Sequence, residues 1–304
     1  ATPLVNTDWE VAYDQFVLPV SKNARGYRPD KVGNTTFTVD KATGALNSLC
    51  LDGEELLGSP MTLSLFRPAT DNDNRDQMGA KLWRAAGLDA LTQKVVSLKE
   101  SKTSTTAQVD ILNAKGEKVG DATFAYTLNR DGSVKVRTTF QPDTTLVKSM
   151  ARLGLTFEVE DAYDHITYLG RGEHETYIDR NQSGKIGIYE TTPERMFHYY
   201  VVPQSTGNRT DVRWMKLTDD AGKGCWVESD SPFQFSTIAF PDVMVEKARH
   251  INELERNGKI TVHLDAKQAG VGTATCGPGV QSQYLVPLTK QTFDFIIYPV
   301  KNRE

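Results

Sequence analysis

The chain has 304 residues, a formal net charge of -4 and a hydrophobic content of 38%. This length allows one large domain or two smaller ones with a sizeable core, and the slightly acidic, mixed charge has no basic stripe of the kind that binds nucleic acid. The chain contains no run of about 18 apolar residues, so no transmembrane helix is predicted, and the first ten residues lack a signal-peptide pattern. From the charge and these two observations together, we expect neither a nucleic-acid nor a membrane partner.

The first thirty residues differ from the rest of the chain. The stretch "DWEVAYDQFVLP" (8–19) has the pattern of one strand, and the polar stretch "VSKNARGYRPDK" (20–31) that follows has the pattern of a connector. We therefore predict a domain boundary here, with residues 1–30 separate from a larger domain over residues 31–304.

Period-2 alternation dominates the larger domain. The runs "TFAYTLN" (123–129), "VKVRTTF" (134–140), "KITVHLD" (259–265) and "TFDFIIY" (292–298) each predict a strand with one buried and one wet face. Glycine-containing turns such as "KATG" (41–44) and "NRDGS" (129–133) separate such runs. The pattern predicts an all-β fold, a large antiparallel sandwich of two extended sheets.

Two segments interrupt the strand pattern and predict short satellite helices. They are "QMGAKLWRAAGL" (77–88), which ends at Gly87, and "DVMVEKARHINELE" (242–255). We place His250 on the second helix and His263 on the polar face of a strand, and interpret both as surface or structural histidines. Three distant cysteines, Cys50, Cys225 and Cys276, indicate neither a disulfide framework nor a zinc site.

The stretch "LGRGEHETYIDR" (169–180) is the densest polar segment. One interpretation places Glu173, His174, Glu175 and Asp179 at a sugar or acid–base site. The other, which we favour, is a structural loop held by ion pairs, and its residues are Arg171, Glu175, Asp179 and Arg180.

Two further segments have candidate roles. In "RPATDNDNRDQ" (67–77), Asp71 and Asp73 match the start of a calcium loop, but Arg75 stands at the next ligand position. We therefore expect Asx turns there and no metal site. The glycine-rich segment "GVGTATCGPG" (270–279) is either a loop that reaches a ligand or a solvent-exposed connection.

Five segments together resemble one family. The stretch "GRGEHETYIDR" (170–180) resembles the G-R-G-P-x-E-x-Y-P-D-R signature in the C-terminal domain of large bacterial β-galactosidases of glycoside hydrolase family 2. The segments "FRPATDNDNR" (66–75), "VVPQSTGNRTDVRWMKL" (201–217), "ARHINEL" (248–254) and the loop 270–279 resemble the same domain in the same order.

The resemblance implies a supersandwich of the galactose mutarotase type, with residues 1–30 as the last strand of a preceding immunoglobulin-like domain. It also implies that the catalytic acid and nucleophile of this retaining enzyme lie on a separate (β/α)₈ barrel, which would carry Mg and Na. We therefore expect no catalytic residue and no cofactor in this chain, and no hydrolysis by the chain alone. The barrel of the same polypeptide and a galactoside are the implied partners, in a homo-oligomer, and the compartment, bacterial cytoplasm or periplasm, is left open.

The resemblance also places the loop 270–279 near the substrate. Cys276 stands near the position of a stacking tryptophan in the family, so the aromatic platform is missing here. Glu173 and Ser205 also depart from the family, which usually has Pro and Glu there. The candidate substrate-binding residues are Thr275, Cys276, Gly277, Glu173 and His174.

Two other classes of function remain as alternatives at this point. One is an independent aldose mutarotase-like enzyme, which needs a histidine acid and a carboxylate base in a sugar pocket. The other is a non-catalytic carbohydrate-binding module, for which Trp214 and Trp226 are the candidate aromatic residues, although both have the sequence context of buried strand positions.

Overall fold

A computed structural model of the chain describes residues 10, 12–16, 18 and 29–301. Residues 10, 12–16 and 18 have no regular secondary structure, and the rest of the predicted N-terminal strand and most of the connector lie outside the described residues. The assignment of residues 1–30 to a preceding domain stays a prediction.

Strands dominate the described ranges. They are β1 (Thr35–Val39), β2 (Leu46–Leu51), β3 (Glu54–Glu55), β4 (Thr62–Ser64), β5 (Thr92–Glu100), β6 (Ser104–Leu112), β7 (Lys118–Leu128), β8 (Val134–Pro142), β9 (Arg152–Glu160), β10 (His165–Gly172), β11 (Lys185–Thr191), β12 (Arg209–Thr218), β13 (Gly224–Ile238), β14 (Lys259–Gln268) and β15 (Gln291–Val300).

The helices in the described ranges are short. They are α1 (Asp71–Arg75), α2 (Ala80–Ala85), α3 (Pro193–Met196) and α4 (Asp242–Lys247), with single 3₁₀ turns at Ile251–Glu253 and Ser282–Tyr284. None of them has the length and apolar character that a membrane crossing requires.

The strands form an antiparallel sandwich around a continuous core, as predicted. A three-stranded sheet has the order β1-β2-β3, and the large sheet runs β11-β10-β12-β13-β15-β8-β7-β6-β5. The long strand β13 pairs with β15 through its first residues and with β14 through its last ones, and β14 then pairs with β9. This branch lets both arms of the sheet contribute to one core, which contains Leu155 of β9, Phe295 of β15 and Phe124 of β7.

The turns follow the sequence pattern closely. Gly132 has φ of 83° in the turn between β7 and β8, and Gly44 has φ of 71° just before β2. Both angles lie in the left-handed region that favours glycine. The short helix predicted over 77–88 is also present as α2, and Gly87 follows its end with φ of 69°.

The helix predicted over 242–255 is wrong in length. Helix α4 ends at Lys247, and Ala248 has an extended backbone with ψ of 138°. The Glu253 carboxylate accepts a 2.9 Å hydrogen bond from the Arg249 N–H and contacts His250 Nδ1 at 2.9 Å. These side-chain bonds stabilise a separate 3₁₀ turn instead of a continued helix, so His250 lies outside the helix on which we placed it.

The interpretation of His263 as a structural histidine is confirmed, but its placement on the polar face of a strand is wrong. Its side chain is 1% exposed, and Nε2 lies 3.0 Å from Asp242 Oδ2. Both edges of strand β14 are paired, one with β13 and the other with β9. Residues 240–242 contact the side chains of Thr261 and His263, so this face of the strand is buried as well.

Candidate functional site

A polar cleft brings together four of the sequence segments singled out above. Its cavity volume is about 260 Å³. The N-terminal turn of α1, the segment after β10, the segment before β12 and the glycine-rich loop 270–279 all line it. The lining side chains that matter below are Asn72, Glu175, Tyr177, Arg180, Tyr200, Gln204 and Thr275.

Arg67 is the fully buried residue that holds the floor of the cleft together. Its Nε and Nη2 donate to the two oxygens of Asp73 at 3.0 and 2.7 Å. Nη1 donates to Gln268 Oε1 and Ala269 O, and Nη2 also reaches Gly270 O at 2.8 Å. Burial opposes the charge, but the Asp73 carboxylate raises the pKa of Arg67 above its usual value. One guanidinium thus joins α1 to the start of the loop.

The loop 270–279 is anchored along its length. Asp179 accepts the backbone N–H groups of Val271 at 3.0 Å and Gly272 at 2.8 Å. Asn72 Oδ1 accepts the N–H and hydroxyl of Thr275, and Asp76 accepts the N–H of Val280 at 2.6 Å. Only the tip, residues 273–278, therefore stands out with mostly exposed side chains.

Glu175 is saturated with donors. Its Oε1 accepts from Arg180 Nη2 and the Tyr200 hydroxyl, each at 2.5 Å. Its Oε2 accepts from the Thr206 hydroxyl and the Gly207 N–H, each at 2.9 Å. Burial alone would raise the pKa of Glu175, but these hydrogen bonds lower it below its usual value. A carboxylate held ionised by four donors is suited to hold the loop, and has little capacity left for proton transfer.

Tyr177 is the unusual residue of the cleft. It is 2% exposed, and the guanidinium carbons of Arg67 and Arg180 lie 5.7 Å and 5.5 Å from its ring centroid. Its buried hydroxyl makes no hydrogen bond within the described part of the chain. Burial raises the pKa of this phenol, so the hydroxyl stays protonated and remains a donor.

The pairing predicted for the stretch 169–180 is partly confirmed. Glu175 pairs with Arg180, as predicted. Asp179 as an arginine partner is wrong, because it accepts loop amides, and Arg171 instead pairs with Asp211 at 2.5 Å and donates to Gly184 O. The Asx turns predicted for 67–77 are partly confirmed. Asp76 Oδ1 accepts the N–H of Met78 two residues on, at 2.8 Å, but Thr70 and Asp73 form a capping box that starts α1.

The candidate substrate-binding residues do not all meet at the cleft. Thr275 lines it, while Cys276 and Gly277 lie on the exposed tip of the loop. Glu173 lines a different pocket, and His174 is an exposed residue whose Nε2 lies 2.7 Å from the Ser183 hydroxyl. Glu173 and Glu175 therefore line different pockets, although one interpretation of the sequence placed them at a single site.

Several residues of the cleft were not identified from the sequence. Arg67 and Asn72 belong to the motif segment 66–75, and Tyr200 directly precedes the segment 201–217, but nothing in their spacing indicates a role at this cleft. Local polarity did find Glu175 and Arg180, because both lie in one dense run of charges. Residues that act from three separate segments leave no such local pattern.

The polar lining of the cleft suits a polar ligand. None of the described residues that line the cleft is a histidine, which an aldose mutarotase-like site would need. Trp226 is buried and stacks on half-buried Trp214 with ring centroids 4.1 Å apart, which does not suit an exposed sugar platform. In the described ranges, no group of three or more His, Cys, Asp or Glu residues is placed to hold a metal.

Comparison with known proteins agrees with the fold and the motifs. Residues 31–297 match the family model for the β-galactosidase small chain. The β-galactosidases of Priestia megaterium and Kluyveromyces lactis are 30% identical over 293 residues and 29% identical over 273 residues. These alignments cover 89% and 85% of this chain but 28% and 26% of the relatives, so the chain spans about a quarter of their length.

A solved structure has the same fold. The GalM/aldose epimerase homologue from C. elegans has a TM-score of 0.50 and 12% sequence identity, over 89% of this chain and 97% of that chain. The fold is therefore of the galactose mutarotase type. At this identity the likeness concerns the fold alone.

Proposed function

Because this chain belongs to the β-galactosidase small-chain family, we propose that it is the C-terminal part of a glycoside hydrolase family 2 enzyme that hydrolyses terminal β-D-galactosides. In that enzyme the chain completes the rim of the galactoside pocket and scaffolds the rest. The observation that carries this proposal is the convergence of four motif segments on one cleft, whose outer rim is the loop 270–279.

The chemistry is assigned to a part of the enzyme outside this chain. A retaining glycosidase needs two carboxyl groups about 5–5.5 Å apart, one of them free to attack the sugar. Glu175 is instead bound by four donors of its own chain. We therefore place the acid, the nucleophile and the Mg and Na ions on a (β/α)₈ barrel of the same polypeptide, in a homo-oligomer.

The contribution of this chain to substrate binding is the loop tip. Thr275 presents a hydroxyl next to the cleft, and Cys276 and Gly277 present the exposed edge that would face the barrel. Since Cys276 replaces an aromatic platform, the sugar loses a stacking contact, which for aromatic pairs is worth about 0.5–1.5 kcal/mol. Contact with the galactoside would then be weaker, or supplied by another domain.

The proposal is tested with the full-length enzyme by measuring KM and kcat for a simple β-galactoside. Deletion of residues 273–279 should raise KM, and Cys276→Trp should lower it by up to about tenfold, because the ring restores a stacking face. Lys115→Trp, in an exposed turn between β6 and β7, is the matched control and should change neither constant. If the deletion and Cys276→Trp both leave KM and kcat unchanged, the chain acts as a scaffold alone.

A further inference from the structure

A second pocket lies on the sheet at β10, β11 and β12, and it shares no lining residue with the cleft. Its cavity volume is about 600 Å³, within the size range of small-molecule sites. Its walls include Tyr168, Tyr189 and Arg209, with Glu173 at the same pocket. We call it the tyrosine pocket. Glu173 was a candidate substrate-binding residue from the sequence, and the structure places it here.

Arg209 is buried in the wall of the tyrosine pocket without a carboxylate partner. It is 3% exposed, and it forms no ion pair with any described residue. Its Nε donates to the Tyr168 hydroxyl at 2.9 Å, and Nη1 donates to Gly207 O at 3.0 Å and to Asn208 O at 3.3 Å. Within the described ranges Nη2 has no acceptor. This nitrogen is therefore free to donate to an oxygen of a ligand in the pocket.

Glu173 supplies the complementary group. Its carboxylate forms no hydrogen bond or ion pair with any described residue, and its charge contributes to the raised pKa of Tyr189, after burial of that ring. Glu173 therefore lies near the tyrosines but apart from Arg209. A free carboxylate and a free guanidinium nitrogen in one pocket match a ligand that both donates and accepts, as a hydroxyl does.

The aromatic wall is packed against glycine. The rings of Tyr168 and Tyr189 lie 5.5 Å apart between centroids at 32°. A Cβ at Gly172 would lie 2.5 Å from the Tyr168 hydroxyl oxygen and 2.8 Å from the Tyr189 ring, so only glycine allows this arrangement. The Tyr168 hydroxyl accepts from Arg209, and among the described residues nothing accepts its own proton.

We propose that the tyrosine pocket binds a neutral pyranose, with its hydroxyls bridging Arg209 Nη2 and the Glu173 carboxylate and with the tyrosines as its wall. The formal charges of the lining favour a neutral ligand, because the two arginines balance the two glutamates. These residues are Arg195, Arg209, Glu173 and Glu190. This non-catalytic sugar site goes beyond the proposed function, because it is separate from the loop that completes the galactoside pocket.

Ligand-observed NMR titration of the 304-residue chain with D-galactose, D-glucose, lactose and D-galacturonate tests the proposal. We expect at least one neutral sugar to bind, and Glu173→Gln to weaken it by about tenfold or more, because a hydrogen bond to a charged group is lost. Glu160→Gln is the matched control, because Glu160 is also exposed and unpaired among the described residues, and it should leave affinity unchanged. Arg209→Lys should also weaken binding of the sugar. A urea unfolding curve of this variant shows whether it is folded, so that loss of binding can be told apart from loss of the fold.

Thr275→Val separates this site from the cleft. Binding that survives Thr275→Val but falls in Glu173→Gln supports the tyrosine pocket. The proposal is overturned by no binding of a neutral sugar, by binding of galacturonate alone, or by binding that Glu173→Gln leaves unchanged. None of these results bears on the proposed function. That proposal is tested separately, by KM and kcat of the full-length enzyme with the deletion of residues 273–279 or with Cys276→Trp.

Discussion

Arg67 is the single side chain that connects most parts of the cleft. It satisfies acceptors on α1, on β14 and at the start of the loop 270–279 from a site with no solvent. Such a role depends on the planar fork of five donors that only arginine has. The loop and α1 are therefore both stabilised by hydrogen bonds to the same buried guanidinium group.

We predict that Arg67→Lys destabilises the chain by about 3–5 kcal/mol, because an ammonium cannot reach all these acceptors and leaves Asp73 partly unpaired. The measurement is the free energy of unfolding in urea. Arg75→Lys, on the exposed end of α1, should stay within about 0.5 kcal/mol of the parent. A loss of less than about 1 kcal/mol for Arg67→Lys would show that the buried pair does not anchor the cleft.

Glu175 predicts a dependence of stability on pH. Its pKa is lower in the folded chain than its usual value of 4.5, so the unfolded chain binds more protons as the solution is acidified. Its contribution is therefore fully present above about pH 4.5 and is lost as pH falls through the folded pKa.

The test of this pH dependence is the variant Glu175→Gln, which cannot titrate. It should be less stable than the parent at neutral pH, and the difference should shrink as pH falls below about 4.5. Urea unfolding across that range measures it, with Glu160→Gln, at an exposed glutamate, as the control for a change of Glu to Gln. A stability difference between Glu175→Gln and the parent that stays constant with pH would contradict the prediction.

At the scale of elements, the loop 270–279 depends on partners far away in sequence. Asp179 lies 92 and 93 positions from the two residues whose amides it accepts. The stretch 169–180 and the loop are therefore one structural unit, although each looked self-contained in the sequence. The carboxylate that we expected to neutralise an arginine instead fixes the path of the rim.

We predict that Asp179→Ala lowers the free energy of unfolding by about 1–3 kcal/mol, because two loop amides lose their acceptor. Hydrogen exchange should also become faster at Val271 and Gly272 than at the strand amides of β14. Asp89→Ala, at an exposed turn residue, should change stability by no more than about 0.5 kcal/mol. Unchanged exchange at both loop amides would mean that the loop is held by its other bonds alone.

At the scale of the whole molecule, the branch at β13 decides where everything else lies. The strand pairs with β15 and then with β14, and this places the ends of β10, β12 and β14 around one cleft. The sandwich thus offers a ligand a rim of polar side chains that come from several strand ends.

We predict that the 304-residue chain alone does not turn over a chromogenic β-galactoside. The acid and nucleophile proposed for the enzyme lie outside it, and without them most of a rate enhancement of many orders of magnitude is lost. Addition of the separately expressed remainder of the polypeptide should restore activity. Turnover by the pure chain that survives Glu175→Gln and deletion of residues 273–279 would place a catalytic site elsewhere within it.

The sequence by itself determined the strands, the turns and the family. Alternation with period 2 and glycine at positive φ are local features, because local sterics and solvent contact produce them. The five motifs and their order can likewise be read directly along the chain. Only the tertiary structure decided that Asp179 binds the loop, that Glu173 and Glu175 face different pockets and that His263 is buried. These contacts join residues from distant strands, and they depend on strand order and register, which no single segment encodes.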